Sequence, residues 1–206
     1  MKIFAHRGWS AGAEENTLEA FKKSAKAGLD GVEFDVRWGF GGEIVVVHDH
    51  SDSPDTLTFE NALAYLKNTN LELLIELKEY SPEFFARVIE LLTTHGLKGK
   101  TTLFAFNNEA RQFPWEAKRE ISLGIISEYP HHIKRDINLY KPDMILCGWG
   151  NKKERFIFKL VWSVLSLSRT IKKYPAVKFI AGVAYDARDI AWLAKQGVYG
   201  VTADRK

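Results

Sequence analysis

KIFAHRGWSAGAEENTLEAFKKSAKAGLDGVEFDVRW, residues 2–38, holds a short apolar run, an amphipathic segment and a second apolar run, in that order. The outer runs, KIFAH (2–6) and GVEFDVR (31–37), have the β-branched and aromatic content of strands. Between them ENTLEAFKKSAKAG (15–28) places Leu18, Phe21 and Ala25 on one helical face and ends at Gly28, a residue suited to a helix terminus. Strand, helix, strand is the unit from which parallel sheets are built. Side chains alternate across a strand, so Glu33 and Asp35 project from one face and Val32, Phe34 and Val36 from the other. If the acidic face is interior, two neighbouring carboxylates repel each other and lose hydration, and a cation or strong donors must offset both costs.

Outward from this stretch the alternation continues. Strands are expected at EIVVVHD (43–49), LELLIELK (71–78), TTLFAF (101–106), ISLGIIS (121–127), MILCGW (144–149), KFIAGVAY (178–185) and GVYGVTAD (197–204). SPEFFARVIELLTTHG (81–96) has a Ser81 cap, Pro82 at the first helical position and a stop at Gly96, and ARDIAWLAKQG (187–197) repeats the helical pattern before the last strand. The order is β, α, β, α throughout, with one hairpin excursion across Gly41 and Gly42. Eight main strands with helices outside suggest an α/β fold, a compact (β/α)8 TIM barrel forming one domain over residues 1–206. A doubly wound open sheet is the competitor. Because the sequence stops at Lys206, no residues remain for a helix after the final strand, and one side of the barrel is expected to be thinly covered or covered by a neighbour.

Composition narrows the function classes. With 46% hydrophobic and 27% charged residues the chain reads as an ordinary globular domain. Its 29 basic and 26 acidic residues are spread without the basic tract of a nucleic-acid footprint. The single cysteine, Cys147, excludes an intramolecular disulfide, and no signal peptide precedes the first strand, so a cytoplasmic location is expected. RFIFKLVWSVLSLS (155–168) is the most apolar segment, interrupted by Lys159 and too short to span a membrane. It is expected to be a core-packing barrel helix, with a membrane-surface or dimer-contact face as the alternative.

In a barrel, functional groups gather at the C-terminal ends of strands. Those positions hold His6 and Arg7, Glu33 and Asp35, His48, and Glu76 with Lys78. Glu33, Asp35 and Glu76 form an all-oxygen set that suits a hard divalent cation, Mg²⁺ or Ca²⁺. Two histidines, with unperturbed imidazole pKa values of about 6.5, would serve as general acid and base. Arg7 and Lys78 add fixed positive charge for a phosphate. Each residue also has a plainer reading: Glu76 as a salt-bridged structural group, His48 as a turn cap, Arg7 as the partner of a carboxylate. Their joint position at strand ends favours phosphoryl chemistry over a set of independent structural roles. His50 is a weaker candidate for substrate contact, and His95, His131 and His132 are expected at helix ends.

The segments AHRGWSAGAEENTLEAF, GVEFDVR, IVVVHD, LLIELK and GVYGVTADR resemble, in order and spacing, the signature of the glycerophosphodiester phosphodiesterase family, most densely over residues 5–49. The resemblance implies a TIM barrel in which Glu33, Asp35 and Glu76 hold the divalent cation. It also implies that His6 and His48 are the acid-base pair, and that Arg7 and Lys78 contact phosphate. The implied reaction hydrolyses a glycerophosphodiester to an alcohol and glycerol 3-phosphate. Either the glycerol 2-hydroxyl attacks phosphorus, with a cyclic phosphate hydrolysed later, or water attacks directly. His6 is assigned as base and His48 as acid, an order that sequence does not fix.

The sequence also departs from the family. Only residues 49–75 separate His48 from Glu76, so most of the family's small insertion is missing and the site is expected to be open. Glu14 stands where the family often has Pro, and GVAYD stands in place of its Trp-Thr-Val-Asn strand, with Tyr185 and Trp149 as substitutes for a lost aromatic wall. The expected partner is a small-molecule phosphodiester and not nucleic acid; head group and oligomeric state are left open. Two alternatives accompany the main reading. One is a lysophospholipase D-like enzyme, with the 155–168 helix and several tryptophans facing a membrane surface. The other is a non-catalytic phosphodiester-binding barrel.

Overall fold

The structure, a computed structural model, describes residues 1–9, 14–50, 53, 55–149 and 152–204. Eight parallel strands form a closed ring: β1 (Lys2–His6), β2 (Gly31–Trp38), β4 (Glu72–Leu77), β5 (Thr101–Phe106), β6 (Ser122–Ile126), β7 (Met144–Gly148), β8 (Lys178–Ala184) and β9 (Gly200–Ala203). Pairing of β1 with both β9 and β2 closes it, which rules out the open sheet and makes the fold a TIM barrel. The hairpin strand β3 (Ile44–Val46) lies antiparallel on β2, outside the ring.

Helices cover the outside. They are α1 (Leu18–Lys26), α2 (Phe59–Leu66), α3 (Pro82–Thr94), α4 (Ile133–Tyr140), α5 (Lys152–Val164), α6 (Leu167–Lys173) and α7 (Ala187–Gln196). Local chemistry fixes their ends. The hydroxyls of Thr17 and Ser81 accept from the amides of Ala20 and Phe84, Asp186 accepts from the amide of Asp189, and Gly197 closes α7 at a φ of 81°. Two expectations are corrected. No α-helix joins β5 to β6; Pro114, which has no amide to donate, divides that connection into the 3-10 turns Ala110–Gln112 and Trp115–Arg119. The apolar segment 155–168 is not one helix, because Ser166 turns left-handed at a φ of 52° and separates α5 from α6.

Two apolar layers follow from strand parity. Val32, Phe34 and Val36 of β2, like Leu73, Ile75 and Leu77 of β4, point outward into the layer beneath the helices. Phe4, Leu74, Phe104, Ile126, Met144 and Ile180 fill the inside of the barrel. Two residues further along their strands, the same inward parity gives His6 after Phe4 and Glu76 after Leu74. The barrel interior is therefore apolar at its base and polar at the C-terminal mouth. Trp162, within the segment that one reading turns toward a membrane, is buried. Among the described residues no helix is long and apolar enough to cross a membrane.

Phe34 lies directly behind the acidic face of β2, fully buried with its ring centroid 5.1 Å from that of Phe21 and 6.2 Å from that of Phe59. Phe34→Ala is expected to destabilise the chain by about 3–5 kcal/mol in denaturant unfolding.

Candidate active site

Strands β1, β2 and β4 are consecutive in the ring, and their register brings the predicted residues level with one another. His6 is the Cα partner of Glu33, and Asp35 is that of Glu76. Because all four point inward, strand pairing alone collects them. Glu33, Asp35 and Glu76 are each at most 8% exposed, and each presents a carboxylate oxygen within 4.8 Å of the other two.

Two cations face this triad. The ammonium of Lys78 lies 3.1 Å from Asp35 Oδ1 and also bonds Glu76. Burial works against the Lys78 charge, but Glu76 and Asp35 outweigh it and hold its pKa above the ordinary value. The Arg7 guanidinium stands 3.4 Å from Asp35 Oδ2 and 3.1 Å from Glu15 Oε2. Asp35, though buried, is pulled below the usual carboxylate range, because Lys78, Asn16 and Arg7 outweigh its desolvation. Glu33 has no such partner. It accepts one hydrogen bond from the Arg7 amide at 3.0 Å and lies 4.0 Å from His6 Nε2. Burial, with Asp35 and Glu76 adding repulsion, pushes its pKa up to about 8.

The donor set therefore fits a divalent cation. Three converging carboxylate oxygens match the hard-ligand preference, and the two fixed cations leave Glu33 uncompensated. Glu33, Asp35 and Glu76 could hold such an ion.

The connection from β1 to α1 supports the site with unusual backbone. Arg7 and Asn16 are both left-handed, at φ of 51° and 58°. Asparagine tolerates that region, whereas arginine there costs about 1–3 kcal/mol and persists because its surroundings hold it. The Arg7 amide donates to Glu33, and its carbonyl accepts from the Asn16 amide at 2.8 Å. The Asn16 side-chain amide donates to Asp35 Oδ2 at 3.0 Å. His6 is oriented by Asp204, whose Oδ1 lies 2.9 Å from Nδ1, leaving Nε2 toward Glu33. Burial opposes a charge on His6, but the bond to Asp204 and the field of Glu33 raise its pKa above the ordinary value. His48, beyond β3, pairs through Nδ1 with Asp49 Oδ1 at 3.0 Å.

A cavity of about 300 Å³ opens over these groups. His6, Arg7, Glu33, His48, Glu76 and Lys78 line one side of it, with Asp35 behind them in contact with Arg7 and Lys78. The opposite wall is mixed: Phe106, Ile126, Leu146, Trp149 and Val183 give it an apolar surface, interrupted by Ser127, Glu128 and Glu154. Gly148 and Gly182 are paired on β7 and β8 in this wall, where a Cβ on Gly148 would fall 1.2 Å from the Gly182 carbonyl oxygen. Trp149 thus supplies an aromatic wall as expected, whereas Tyr185 is not among the described residues lining the cavity.

All seven predicted site residues converge. Asn16 and Asp204 were not singled out from the sequence, although both lie within quoted segments; an asparagine beside the Glu15-to-Thr17 turn was the available signal for the first. The other histidines stay apart. His50 is exposed, His95 caps α3 with Nδ1 2.9 Å from the Leu91 carbonyl, and His131 and His132 sit on a 3-10 turn with rings 4.1 Å apart. Cys147 is buried with its thiol pushed up to about 12, so it offers no nucleophile.

With the geometry in place, comparison with known proteins is informative. The family model described as the glycerophosphoryl diester phosphodiesterase family matches residues 6–205. A glycerophosphodiester phosphodiesterase of Caldanaerobacter subterraneus is 39% identical over 70 residues, 34% of this chain and 27% of the relative. That match and two others take in 20–27% of the length of the curated relatives concerned. A crystal structure of a glycerophosphodiester phosphodiesterase from Parabacteroides distasonis superimposes with a TM-score of 0.76 at 20% identity, covering 98% of this chain and 92% of that one. An Oleispira antarctica phosphodiesterase, solved with the product sn-glycerol-3-phosphate, gives 0.74 at 20% identity, over 98% of this chain and 92% of that one. At such identities the superpositions speak for the fold alone.

The raised pKa of Glu33 has a measurable consequence. Without metal the folded chain keeps that proton up to about pH 8, whereas the unfolded chain loses it near 4.5, so stability falls as pH rises between those values. Glu33→Gln is expected to flatten the metal-free melting temperature across this window; an unchanged slope would contradict it.

Proposed function

Because the chain belongs to the glycerophosphoryl diester phosphodiesterase family, we propose that it hydrolyses glycerophosphodiesters to an alcohol and glycerol 3-phosphate. The observation that carries this reading is the buried triad Glu33, Asp35 and Glu76, undercompensated by Arg7 and Lys78, beneath a cavity shared with two imidazoles. A divalent ion held by the triad, Mg²⁺ or Ca²⁺, would supply Lewis acidity and neutralise charge on the phosphoester. The remaining work falls to side chains. Arg7 and Lys78 hold the nonbridging oxygens and orient the diester across the mouth. His6 takes the proton of the attacking oxygen at Nε2, whether that oxygen belongs to water or to the glycerol 2-hydroxyl, because Nδ1 is held by Asp204, which also stabilises the resulting imidazolium; in the second case water then opens the cyclic phosphate to glycerol 3-phosphate. His48 returns a proton to the departing alcohol oxygen, with Asp49 on its other nitrogen.

A second reading concerns the alcohol. The wall of Phe106, Ile126, Leu146, Trp149 and Val183 favours a leaving group with an apolar part, as in a lysophospholipase D-like reaction on lipid phosphodiesters. Trp149 is 4% exposed and its indole Nε1 meets no acceptor among the described residues, so this wall also offers one unused donor.

Turnover of a soluble glycerophosphodiester is expected to disappear with a metal chelator and return on adding Mg²⁺ or Ca²⁺. His6→Ala and His48→Ala should each lower kcat by about 10²–10⁴-fold, and Asp204→Asn less, with KM held. Binding retained without turnover in the wild-type chain would identify a non-catalytic barrel instead. Trp149→Phe keeps an aromatic side chain but removes the donor with the pyrrole ring that bears it; it should raise KM for the preferred diester while leaving kcat within a few-fold.

A further inference from the structure

Helix α5 leaves a row of large apolar side chains in solvent. Phe156, Ile157, Leu160 and Val164 are 57–74% exposed, and their spacing puts them on a single stripe. The helix beneath is firmly held. Phe158 and Trp162 are buried on its inner face, with Phe158 5.1 Å from the Trp149 ring and 5.6 Å from that of Trp162. Arg155 and Lys159 both pair with buried Asp189, at 3.0 and 2.8 Å. The stripe is thus a fixed ridge on the barrel's outside.

Charge around this ridge is one-sided. Residues 152–173, which span α5 and α6, contain seven Lys or Arg and one acid, Glu154, in a chain whose formal net charge is only +3. The rest of the chain is therefore net negative, a contrast that whole-chain composition hides. Arg155 and Lys159 are consumed by Asp189, but Arg169, Lys172 and Lys173 of α6 are exposed beside α5. An apolar stripe on a helix that packs against a second helix carrying exposed cations has the composition of an element that lies in the interface of an anionic bilayer.

We propose that α5 docks this barrel on the surface of an anionic phospholipid membrane. Two features favour lipid over a second copy of the chain. A self-complementary contact would set the basic segment of one copy against that of the other. A ridge this exposed also suits insertion among lipid headgroups better than a flat protein contact does. Position adds a third consideration. The first turn of α5 carries Glu154, which lines the cavity, and the helix packs beside the turn Pro130–His132, next to half-exposed Tyr129. Docking along α5 would bring the mouth close to the headgroup layer. The inference concerns binding alone and does not depend on the proposed hydrolysis.

The test is co-sedimentation of the intact chain with vesicles of phosphatidylcholine alone and of phosphatidylcholine with one-third phosphatidylglycerol. Binding should be about tenfold or more tighter to the anionic vesicles and should weaken with salt. The double variant Phe156→Ser/Leu160→Ser, checked for native circular dichroism and an unchanged cooperative melting transition, should lose this binding. Lys172→Glu/Lys173→Glu should weaken binding without touching the stripe. Failure of the wild-type chain to bind anionic vesicles would overturn the proposal, as would undiminished binding by the serine variant. So would a dimer in analytical ultracentrifugation that the serine variant dissolves, since the stripe would then be a contact between copies.

Discussion

Three carboxylates on adjacent strands face the interior of a barrel, where the low dielectric magnifies their repulsion and removes most of their hydration. The mouth of this fold is organised around that constraint. Lys78 is placed two residues beyond Glu76 so that its ammonium reaches both Glu76 and Asp35. Arg7 is bent into a left-handed conformation that brings its guanidinium to Asp35 and its amide to Glu33. Asn16, also left-handed, donates to Asp35 Oδ2, the same oxygen that faces Arg7. These groups together stabilise Asp35 as an anion and leave Glu33 short of positive charge. An interior kept in this state accommodates a divalent cation more readily than it accommodates nothing.

The cavity above the triad joins two chemistries. Its cationic and metal-ligating side is built from β1, β2, β4 and the hairpin, and its more apolar side from β5 to β8, with Ser127, Glu128 and Glu154 at that side's edge. A phosphodiester with a polar, charged centre and a less polar alcohol matches this division. Among the described residues, those within 49–75 form the turn into α2, α2 itself and the start of β4, and none of them forms an added lid.

Much of this was legible from residue types and spacing. The i, i+2 pairs Glu33/Asp35 and Glu76/Lys78 reveal which strand face carries charge, and parity carries that face to the interior once the ring closes. Ser81 with Pro82 marks the start of α3 from local chemistry alone. What local patterns could not supply depends on tertiary contact. Asp204 reaches His6 because β9 pairs with β1, a contact between opposite ends of the chain. The missing helix between β5 and β6 follows from Pro114 but was overridden by the regular β, α rhythm elsewhere. The break at Ser166 lies inside a continuous apolar run, where periodicity gives no warning of a left-handed residue.

Binding of a divalent ion, measured by calorimetry on chain stripped of metal, tests the central claim most directly. One ion should bind per chain, with release of a proton near neutral pH because Glu33 must ionise, and Asp35→Asn should abolish binding. A chain that binds no divalent ion, or one whose affinity survives the loss of Asp35, would mean that Lys78 and Arg7 neutralise the triad for structural reasons alone.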